Sequence, residues 1–329
     1  MRHSRGRNLA QGEAEGLSDL KSYVIKKVLL ALPIILLAIL IVFLLLYLTP
    51  GDPVSVLAPR YATPEQLDAI RRKWGLLDPP YVQFWKYLVR LAHGDMGTSV
   101  GFGMVGMPVS ELIASRLTNT LILMGLGLAI SYSIGMPLGI LAALRLNKLT
   151  DRTIMVFTLV TYAIPSFFLG LLLLLLFSVN LRWLPAEGTT GGMASIILPA
   201  MTLGLGNAAL TTRMMRSSML EVVRMDFITQ LRSRGLPERE VIFKHALKNA
   251  ILPVITVIGL DIGWFVGGAV VVETVFSWPG IGLLITKAIM NNDFPVVQGC
   301  ILVMALFVIF GNLMADILYA YVDPRVRLG

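Results

Sequence analysis

Cysteine, histidine and charged residues are all scarce in this chain. It has one cysteine, Cys300, and three histidines among 329 residues, and only 15% of its residues are charged. A single cysteine cannot form an internal disulfide or a cysteine metal cluster. The histidines are His3, His93 and His245, and none of them lies in the six long apolar runs described below. No apolar run therefore offers both a nucleophile and a histidine base for catalysis. We therefore expect neither a catalytic site nor a metal site.

A phosphate-binding loop is also missing. Such loops place backbone N–H groups around phosphates and typically end in Gly-Lys followed by Ser or Thr. The sequence has 30 glycines but no Gly-Lys pair. We therefore expect no ATP, magnesium or other cofactor to bind to this chain.

Apolar sequence, by contrast, is abundant. Hydrophobic residues make up 56% of the chain, and the mean hydropathy is +0.75, which indicates a polytopic membrane protein. A helix needs about 20 apolar residues to cross roughly 30 Å of hydrocarbon. The sequence therefore predicts an all-α protein with six transmembrane helices. The six runs are 28–48, 117–144, 153–181, 193–212, 249–272 and 294–315, and only the fifth carries a charge, Asp261.

The basic residues indicate the orientation. With the N-terminus inside, the inner segments hold 19 of the 28 lysines and arginines, and the short outer loops hold only Arg182 and Lys287. Because basic residues accumulate on the cytoplasmic side, we expect both termini, the segment 1–27 and the segment 213–248 in the cytoplasm. Residues 50–116 then form an outer insertion. The inner loops account for the net charge of +8, so we expect no nucleic-acid partner.

The polar segment 213–248 has the pattern of two helices. Apolar residues between positions 217 and 234 recur at the spacing of an amphipathic helix. Gly235 ends this helix, since glycine tolerates the left-handed conformation that is common at helix C-termini. Pro237 suits the first turn of a second helix, which has acidic residues at its start and basic residues near its end. The sequence predicts a short, rigid, charged elbow between two spans.

Seven short segments carry a recognisable pattern. They read Thr49-Pro-Gly-Asp-Pro-Val54, Gly94-Asp-Met-Gly-Thr-Ser99, Arg216-Ser-Ser-Met-Leu-Glu-Val222, Gly235-Leu-Pro237, His245-Ala-Leu-Lys-Asn-Ala-Ile-Leu-Pro253, Glu273-Thr-Val-Phe-Ser-Trp-Pro-Gly-Ile-Gly282 and Val322-Asp-Pro-Arg325. Together they resemble the permease subunits of ABC importers of the dipeptide, oligopeptide and nickel class. The resemblance covers essentially everything after Ser22. At positions 229–231 this chain has Thr-Gln-Leu, whereas the general permease pattern has Glu-Ala-Ala.

The resemblance implies an architecture and a set of partners. Residues 28–329 would form the transmembrane domain, one half of a two-permease pore in the bacterial plasma (inner) membrane, in contact with membrane lipid. The other half would be a second homologous permease subunit. Two ABC ATPase subunits would bind ATP and magnesium, and an extracytoplasmic substrate-binding protein would deliver the substrate. The segment 213–248 would be the coupling loop. Its ATPase contacts would be Arg234, Gly235, Leu236, Pro237, Glu238 and Arg239.

The outer insertion 50–116 has two possible roles. It either faces the binding protein or only caps the helix bundle. Within it, residues 63–74 and 81–92 are predicted as short helices, and the aromatic residues of the second, Phe84, Trp85 and Tyr87, suit the membrane interface. A further stretch, 278–290, is predicted as a turn and a short helix that dips back toward the bundle.

Asp261 is the one charged residue inside an apolar run. A carboxylate at mid-span costs about 2.5–3.5 kcal/mol on insertion scales, so such residues usually face a bundle interior or a watered cavity. In one interpretation Asp261, with Asn207 and Trp264, lines the translocation path and meets a cationic group such as a peptide amino terminus. In the other, Asp261 is a buried structural contact that is hydrogen-bonded to Asn207 or Thr256.

The substrate is expected to be an oligopeptide or dipeptide. A nickel path would be expected to offer imidazole or thiolate ligands, and the apolar runs offer only Cys300. Two alternatives remain open at this point. One is a nickel-type permease of the same class, and the other is a stand-alone secondary transporter in which Asp261 would be the proton or cation site.

Small residues, prolines and one more acid predict details of packing. Glycines four apart, at 135 and 139 and at 263 and 267, predict close helix approach. Pro165 and Pro199 are expected to kink central spans. Asp316, near the inner end of the last run, is expected to complete an ion pair at the inner side.

Overall fold

The computed structural model describes residues 24–44, 47–48, 63–65, 68, 71–72, 77–101, 103–186, 188 and 192–322. This part of the chain is helical, with one isolated β-bridge between Thr98 and Pro108 and no strand. The predictions for residues 1–23, for most of the helix 63–74 and for the motifs at 49–54 and 322–325 lie outside the described residues.

The helices are numbered here in chain order. They are α1 Val24–Leu44, α2 Pro80–Ala92, α3 Val109–Leu144, α4 Leu149–Ala163, α5 Ser166–Asn180, α6 Gly192–Val223, α7 Asp226–Ser233, α8 (residues 238–250), α9 Leu252–Val275, α10 Ile281–Met290 and α11 Phe294–Val322. The last part of α5, Leu174–Asn180, and the middle of α8, Val241–Ala246, are π-helical.

Five of these helices are long and apolar enough to cross a membrane: α1, α3, α6, α9 and α11. The pair α4 and α5 passes the same test together but is bent by 105°, which makes six spans if the pair is one broken span. The all-α membrane fold is therefore confirmed. The run predicted as one span over 153–181 is divided at Pro165, where the bend is much sharper than a kink. Pro165 lacks a backbone N–H and pushes Ile164 into an extended conformation, φ −77° and ψ 123°, so the chain turns there.

Two predicted boundaries also differ from the structure. The helix α3 begins at Val109, so the last residues of the predicted insertion 50–116 are helical, and α3 has 36 residues. The predicted single helix 217–234 is divided at Arg224 and Met225 into the end of α6 and α7. This division folds Ile228 of α7 back onto the buried cluster that contains Met219 of α6, which a straight helix could not do.

Close helix contacts hold the bundle together. The glycines of α3 lie against α6, where a Cβ atom on Gly139 would be 2.6 Å from the carbonyl oxygen of Thr212, and Gly135 is similarly crowded. This confirms the first predicted glycine pair as a packing contact. Of the second pair, Gly263 lies against α11, where an added Cβ atom would be 3.4 Å from a methyl carbon of Val308, whereas Gly267 faces open space. The helices α9 and α11 approach more closely at Gly259, whose added Cβ atom would overlap Ala315.

The first helix, α1, contacts both α11 and α2. Lys27 of α1 contacts Asp316 of α11 at 2.8 Å, which confirms the ion pair expected for Asp316. The outer helix predicted at 81–92 is α2. Its Phe84 and Tyr87 pack against Phe43 of α1, with ring centroids 5.3 and 6.3 Å apart, so these rings hold α2 against α1, and their place at the membrane interface stays a prediction. Trp85, at 66% exposure, remains available for that role.

Candidate coupling loop and buried polar sites

The elbow between α7 and α8 is built around Gly235. Its φ is +78°, the left-handed conformation that the sequence predicted at the end of the first helix. The N–H of Gly235 donates to the carbonyl of Arg232 at 3.0 Å, which closes the last turn of α7. Pro237 precedes the first helical residue, Glu238, so it caps α8 and does not lie in its first turn. The elbow therefore has a fixed backbone geometry.

One ion pair connects the two helices of this elbow, and another lies within α8. The guanidinium of Arg232 holds Glu238 through two hydrogen bonds, of 2.7 and 3.1 Å. This guanidinium lowers the pKa of the Glu238 carboxyl below its ordinary value. Within α8, Lys244 contacts Glu240 at 2.7 Å. Exposed pairs of this kind each contribute little to stability. The Arg232–Glu238 pair joins α7 to α8 and favours one angle between them, whereas the Lys244–Glu240 pair supports α8 itself.

One face of the elbow is buried and the other is free. Ile228, Val241 and Ala246 are fully buried in a cluster with Met215 and Met219 of α6. The expected ATPase contacts Arg234, Gly235, Pro237, Glu238 and Arg239 are exposed, whereas Leu236 is half-buried against the cluster. The elbow is thus seated on the C-terminal end of α6 and presents a polar surface on its other side.

Phe243 is a feature of this surface that the sequence analysis missed. It lies on α8 and is 54% exposed, next to the charged side chain of Lys244. A large aromatic residue on a charged, solvated surface is typical of protein contacts. The amphipathic pattern could have revealed it, since Phe243 interrupts the polar side of that helix.

Asp261 lies at the meeting point of three spans. The residue is 5% exposed, and its Oδ2 accepts hydrogen bonds from the Tyr132 hydroxyl of α3 and, at 2.9 Å, from the Asn207 amide of α6. Asn207 also donates to Ser131 at 3.1 Å. The structure therefore brings Asp261 and Asn207 together as the sequence suggested. It adds Tyr132, which no sequence signal indicated.

Two other proposed members of this site lie elsewhere. Thr256 donates to the carbonyl of Pro253 at 2.8 Å and does not contact Asp261, so that predicted contact was wrong. Trp264 is 55% exposed and packs edge-on against Phe265, with ring centroids 6.0 Å apart. The contacts of Asp261 are those of a buried link between spans.

A second buried acid links α4 to α6. Asp151 is 3% exposed and accepts two hydrogen bonds from the Arg216 guanidinium, of 2.7 and 2.8 Å. It also accepts from the N–H of Asn147 at 3.0 Å. Asn147 has φ +62°, a conformation that asparagine tolerates better than most residues. The sequence analysis quoted Arg216 within a motif but did not identify its partner.

Two further acids, Glu273 and Asp293, are completely buried beside α10. Among the residues that the structure describes, no group of three or more histidines, cysteines or acids is arranged to hold a metal ion. The hydrogen bonds of Asp151, Asp261 and Glu273 link each of them to another helix. The exposed elbow of α7 and α8 is the clearest surface for a partner.

Known proteins share this sequence and architecture. Residues 135–328 match the family model described as binding-protein-dependent transport system inner membrane component, and residues 20–123 match the N-terminal model of such components. The oligopeptide transport system permease protein AppB of Bacillus subtilis is 40% identical over 319 residues, and the match covers 93% of this chain and 99% of AppB. The glutathione transport system permease protein GsiC of Salmonella paratyphi A is 39% identical over 306 residues, with the same coverage.

A solved structure shares the fold. The match is to an inward-facing conformation of the MetNI methionine ABC transporter, with a TM-score of 0.56 and 18% sequence identity. The match covers 66% of this chain and 99% of the solved one. At this identity the likeness concerns the arrangement of helices.

Proposed function

Because this chain belongs to the family of binding-protein-dependent transport system inner membrane components, it is a multi-pass membrane permease subunit of an ABC importer, and we propose that it carries peptides. In such importers separate subunits hydrolyse ATP. The observation that carries the mechanism is the rigid elbow around Gly235, seated on α6 and exposed on its other face.

The peptide assignment rests on relatives and on side-chain chemistry. Similar proteins are named for the transport of oligopeptides and of glutathione, which is itself a small peptide. Nickel is disfavoured because the described spans contain no histidine and the thiol of Cys300 is fully buried among apolar residues. Family membership also argues against the stand-alone secondary transporter, since these components work with ATPase partners.

Partners and orientation are part of the same proposal. The pore consists of this subunit and a second homologous permease, and the complex contains two ATPase subunits and an extracytoplasmic binding protein. Both termini and residues 213–248 lie in the cytoplasm, and residues 50–116 lie outside. The support is the excess of basic residues in the inner segments.

The elbow supplies a route for movement from an ATPase subunit to the spans. Its outer surface, from Arg234 to Arg239 with Phe243, contacts the ATPase. The Ser218 hydroxyl of α6 donates to the Ala250 carbonyl of α8 at 2.7 Å, so a shift of α8 moves the inner end of α6. Only Ile251 separates α8 from α9, so the same shift reaches the span that carries Asp261. The cycle is alternating access driven by ATP binding.

The test uses the assembled four-subunit complex in proteoliposomes with its binding protein. We expect uptake of a labelled oligopeptide that requires both ATP and the binding protein. Uptake that persists without ATP would reject the ABC mechanism. ATP-dependent uptake of nickel ions with no uptake of peptides would reject the peptide assignment.

A further inference from the structure

The helix α10 lies between two spans but is too short to cross a membrane. Its ten residues form an apolar helix about 15 Å long, roughly half of the hydrocarbon thickness of about 30 Å. It follows the C-terminal end of α9 and precedes the N-terminal end of α11. Both of its ends therefore belong to the same side of the bundle, and the turns on either side must hold it in place.

Glu273 holds the first of these turns. It lies in the last turn of α9 with 0% exposure, and its Oε2 accepts from the N–H groups of Gly282 and Leu283 at 2.7 and 3.2 Å. Its Oε1 accepts from the hydroxyl of Thr120 at 2.7 Å. The Glu273 oxygens therefore cap the N-terminus of α10, where the first backbone N–H groups have no partner within the helix. A Cβ atom on Gly280 would overlap this carboxylate, so glycine is needed there for the close approach.

The same turn is also bonded to α3. Besides donating to Glu273, the Thr120 hydroxyl accepts from the N–H of Ile281 at 2.9 Å. The Asn119 amide donates to the Pro279 carbonyl at 2.8 Å, and the Trp278 indole donates back to the Asn119 carbonyl at 3.1 Å. The start of α10 is thus connected to α3 by side chains from both segments.

Asp293 holds the other end. It follows α10 by three residues, has 0% exposure and accepts three hydrogen bonds from residues 99–101. Its Oδ2 accepts from the Ser99 hydroxyl and, at 2.9 Å, from the N–H of Gly101. Its Oδ1 accepts from the N–H of Val100 at 3.2 Å. A Cβ atom on Gly101 would be 2.7 Å from this carboxylate, so the loop is fitted tightly around it.

We propose that Glu273 and Asp293 are positioning residues that fasten α10 to α3 and to residues 99–101, so that these parts form one rigid block during transport. Neither residue touches the substrate in this role. The proposal rests on the permease function above, because the block matters only if the two ends of the spans open in turn. If α10 were not fastened, the end of the translocation path beside α10 would open independently of the elbow. Less peptide would then be transported for each ATP hydrolysed.

Substitutions of Glu273 and Asp293 can either keep or remove the hydrogen-bond acceptors that hold α10. In Glu273→Gln the amide oxygen still accepts from Gly282 and Leu283, and the NH₂ group can donate to Thr120, so we expect nearly normal behaviour. Glu273→Ala removes the acceptor altogether. In Asp293→Asn one of the two backbone N–H groups must face the amide NH₂, because both carboxylate oxygens now accept from the backbone. Glu111→Ala is the matched control, since Glu111 is an exposed acid in the first turn of α3.

Two measurements on the assembled complex test the proposal. Amide hydrogen exchange of residues 281–290, recorded without ATP, should be about tenfold faster in Glu273→Ala and in Asp293→Asn, since local opening follows lost hydrogen bonds. The ratio of peptide transported to ATP hydrolysed should fall in the same two variants. Glu273→Gln and Glu111→Ala should match the unmodified complex in both measurements.

Other outcomes of these two measurements would contradict the proposal. Unchanged exchange in Asp293→Asn and Glu273→Ala would overturn the fastening role. Faster exchange with an unchanged ratio of peptide to ATP would overturn the role in transport. If Glu273→Ala does not assemble, Asp293→Asn decides both points. A failure of the unmodified complex to transport peptide would reject the proposed substrate, while the exchange result would still test the block.

Discussion

The Arg216 guanidinium donates two hydrogen bonds, of 2.7 and 2.8 Å, to the Asp151 carboxylate and so joins the C-terminal part of α6 to the first turn of α4. The Asp151 side chain is 4% exposed and that of Arg216 is 24% exposed. Arg216 lies in the same part of α6 as Met215 and Met219, on which the elbow is seated. If the elbow moves as proposed, the broken span α4–α5 is coupled to it through this pair as well as through α6.

We predict that Asp151→Asn destabilises the subunit by about 3 kcal/mol, because it leaves a partly buried guanidinium without its counter-charge. The thermal unfolding of the purified complex in nanodiscs measures this. The double variant Asp151→Asn with Arg216→Gln should lose less stability than the sum of the two single variants, because each single variant leaves an unpaired charge and the double variant leaves none. Arg224→Gln, an exposed arginine of the same loop, is the control. Additive losses in the double variant would show that the pair does not couple α4 to α6.

The elbow gives a second prediction. An added Cβ atom at Gly235 would have no neighbour within 4 Å, so a substitution there acts through the backbone alone. At φ +78° a β-branched residue is strained by about 1–3 kcal/mol, whereas asparagine adopts this region more readily. Gly235→Val should therefore uncouple ATP hydrolysis from uptake, and Gly235→Asn should remain close to normal. The measurement is peptide transported per ATP, with membrane insertion checked by the amount of assembled complex. Normal transport by Gly235→Val would mean that the elbow is not the lever.

Orientation is tested by labelling single cysteines with a membrane-impermeant reagent. Cys300 is fully buried, and Cys300→Ala removes the remaining background. We expect Glu238→Cys, in the elbow, to react only in opened cells, and Arg90→Cys, on the exposed side of α2, to react in intact cells. Labelling of Glu238→Cys from outside intact cells would reverse the proposed topology.

Features of this fold that depend on one segment of chain could be predicted from the sequence. The spans follow from the length of apolar runs, and the turn at Gly235 follows from the freedom of glycine at positive φ. The break at Pro165 could be predicted only as a kink. Whether a proline bends or divides a helix depends on what the following segment packs against, and here α5 packs on α6 and α9 around Gly170.

The polar links could not be predicted because they depend on which helix faces meet. Asp261 is separated from Tyr132 by 129 residues and from Asn207 by 54. The sequence offers Asn207 and Thr256 equally as partners of Asp261, and only the packing of the helices shows that Asn207 contacts it and Thr256 does not. Glu273 begins a motif in the sequence, but its contacts depend on the turn before α10, which places the N–H groups of Gly282 and Leu283 on its carboxylate.

The last prediction concerns Asp261, for which two interpretations give different outcomes. Its Oδ2 accepts both hydrogen bonds, from Tyr132 and from Asn207. An asparagine oxygen can accept the same two, so a structural link predicts that Asp261→Asn is nearly silent. Asp261→Leu would leave both donors without an acceptor at a cost of about 1–3 kcal/mol per group. A path residue that binds a peptide amino terminus predicts instead that Asp261→Asn selectively impairs substrates with a free ammonium group.

Uptake of matched free and N-acetylated peptides, normalised to the amount of assembled complex, separates these outcomes. Because the described contacts bury Asp261 among three spans, we expect equal uptake of both peptides by Asp261→Asn and reduced assembly of Asp261→Leu. Asn207→Leu should reduce assembly in a similar way, since it removes one donor to the same carboxylate and the contact to Ser131. Leu260→Ala is the control, because Leu260 is an exposed residue of α9 beside Asp261 in the sequence. A loss confined to the free peptide in Asp261→Asn would show that the carboxylate meets the substrate during transport, and that the link between the spans must open for it to pass.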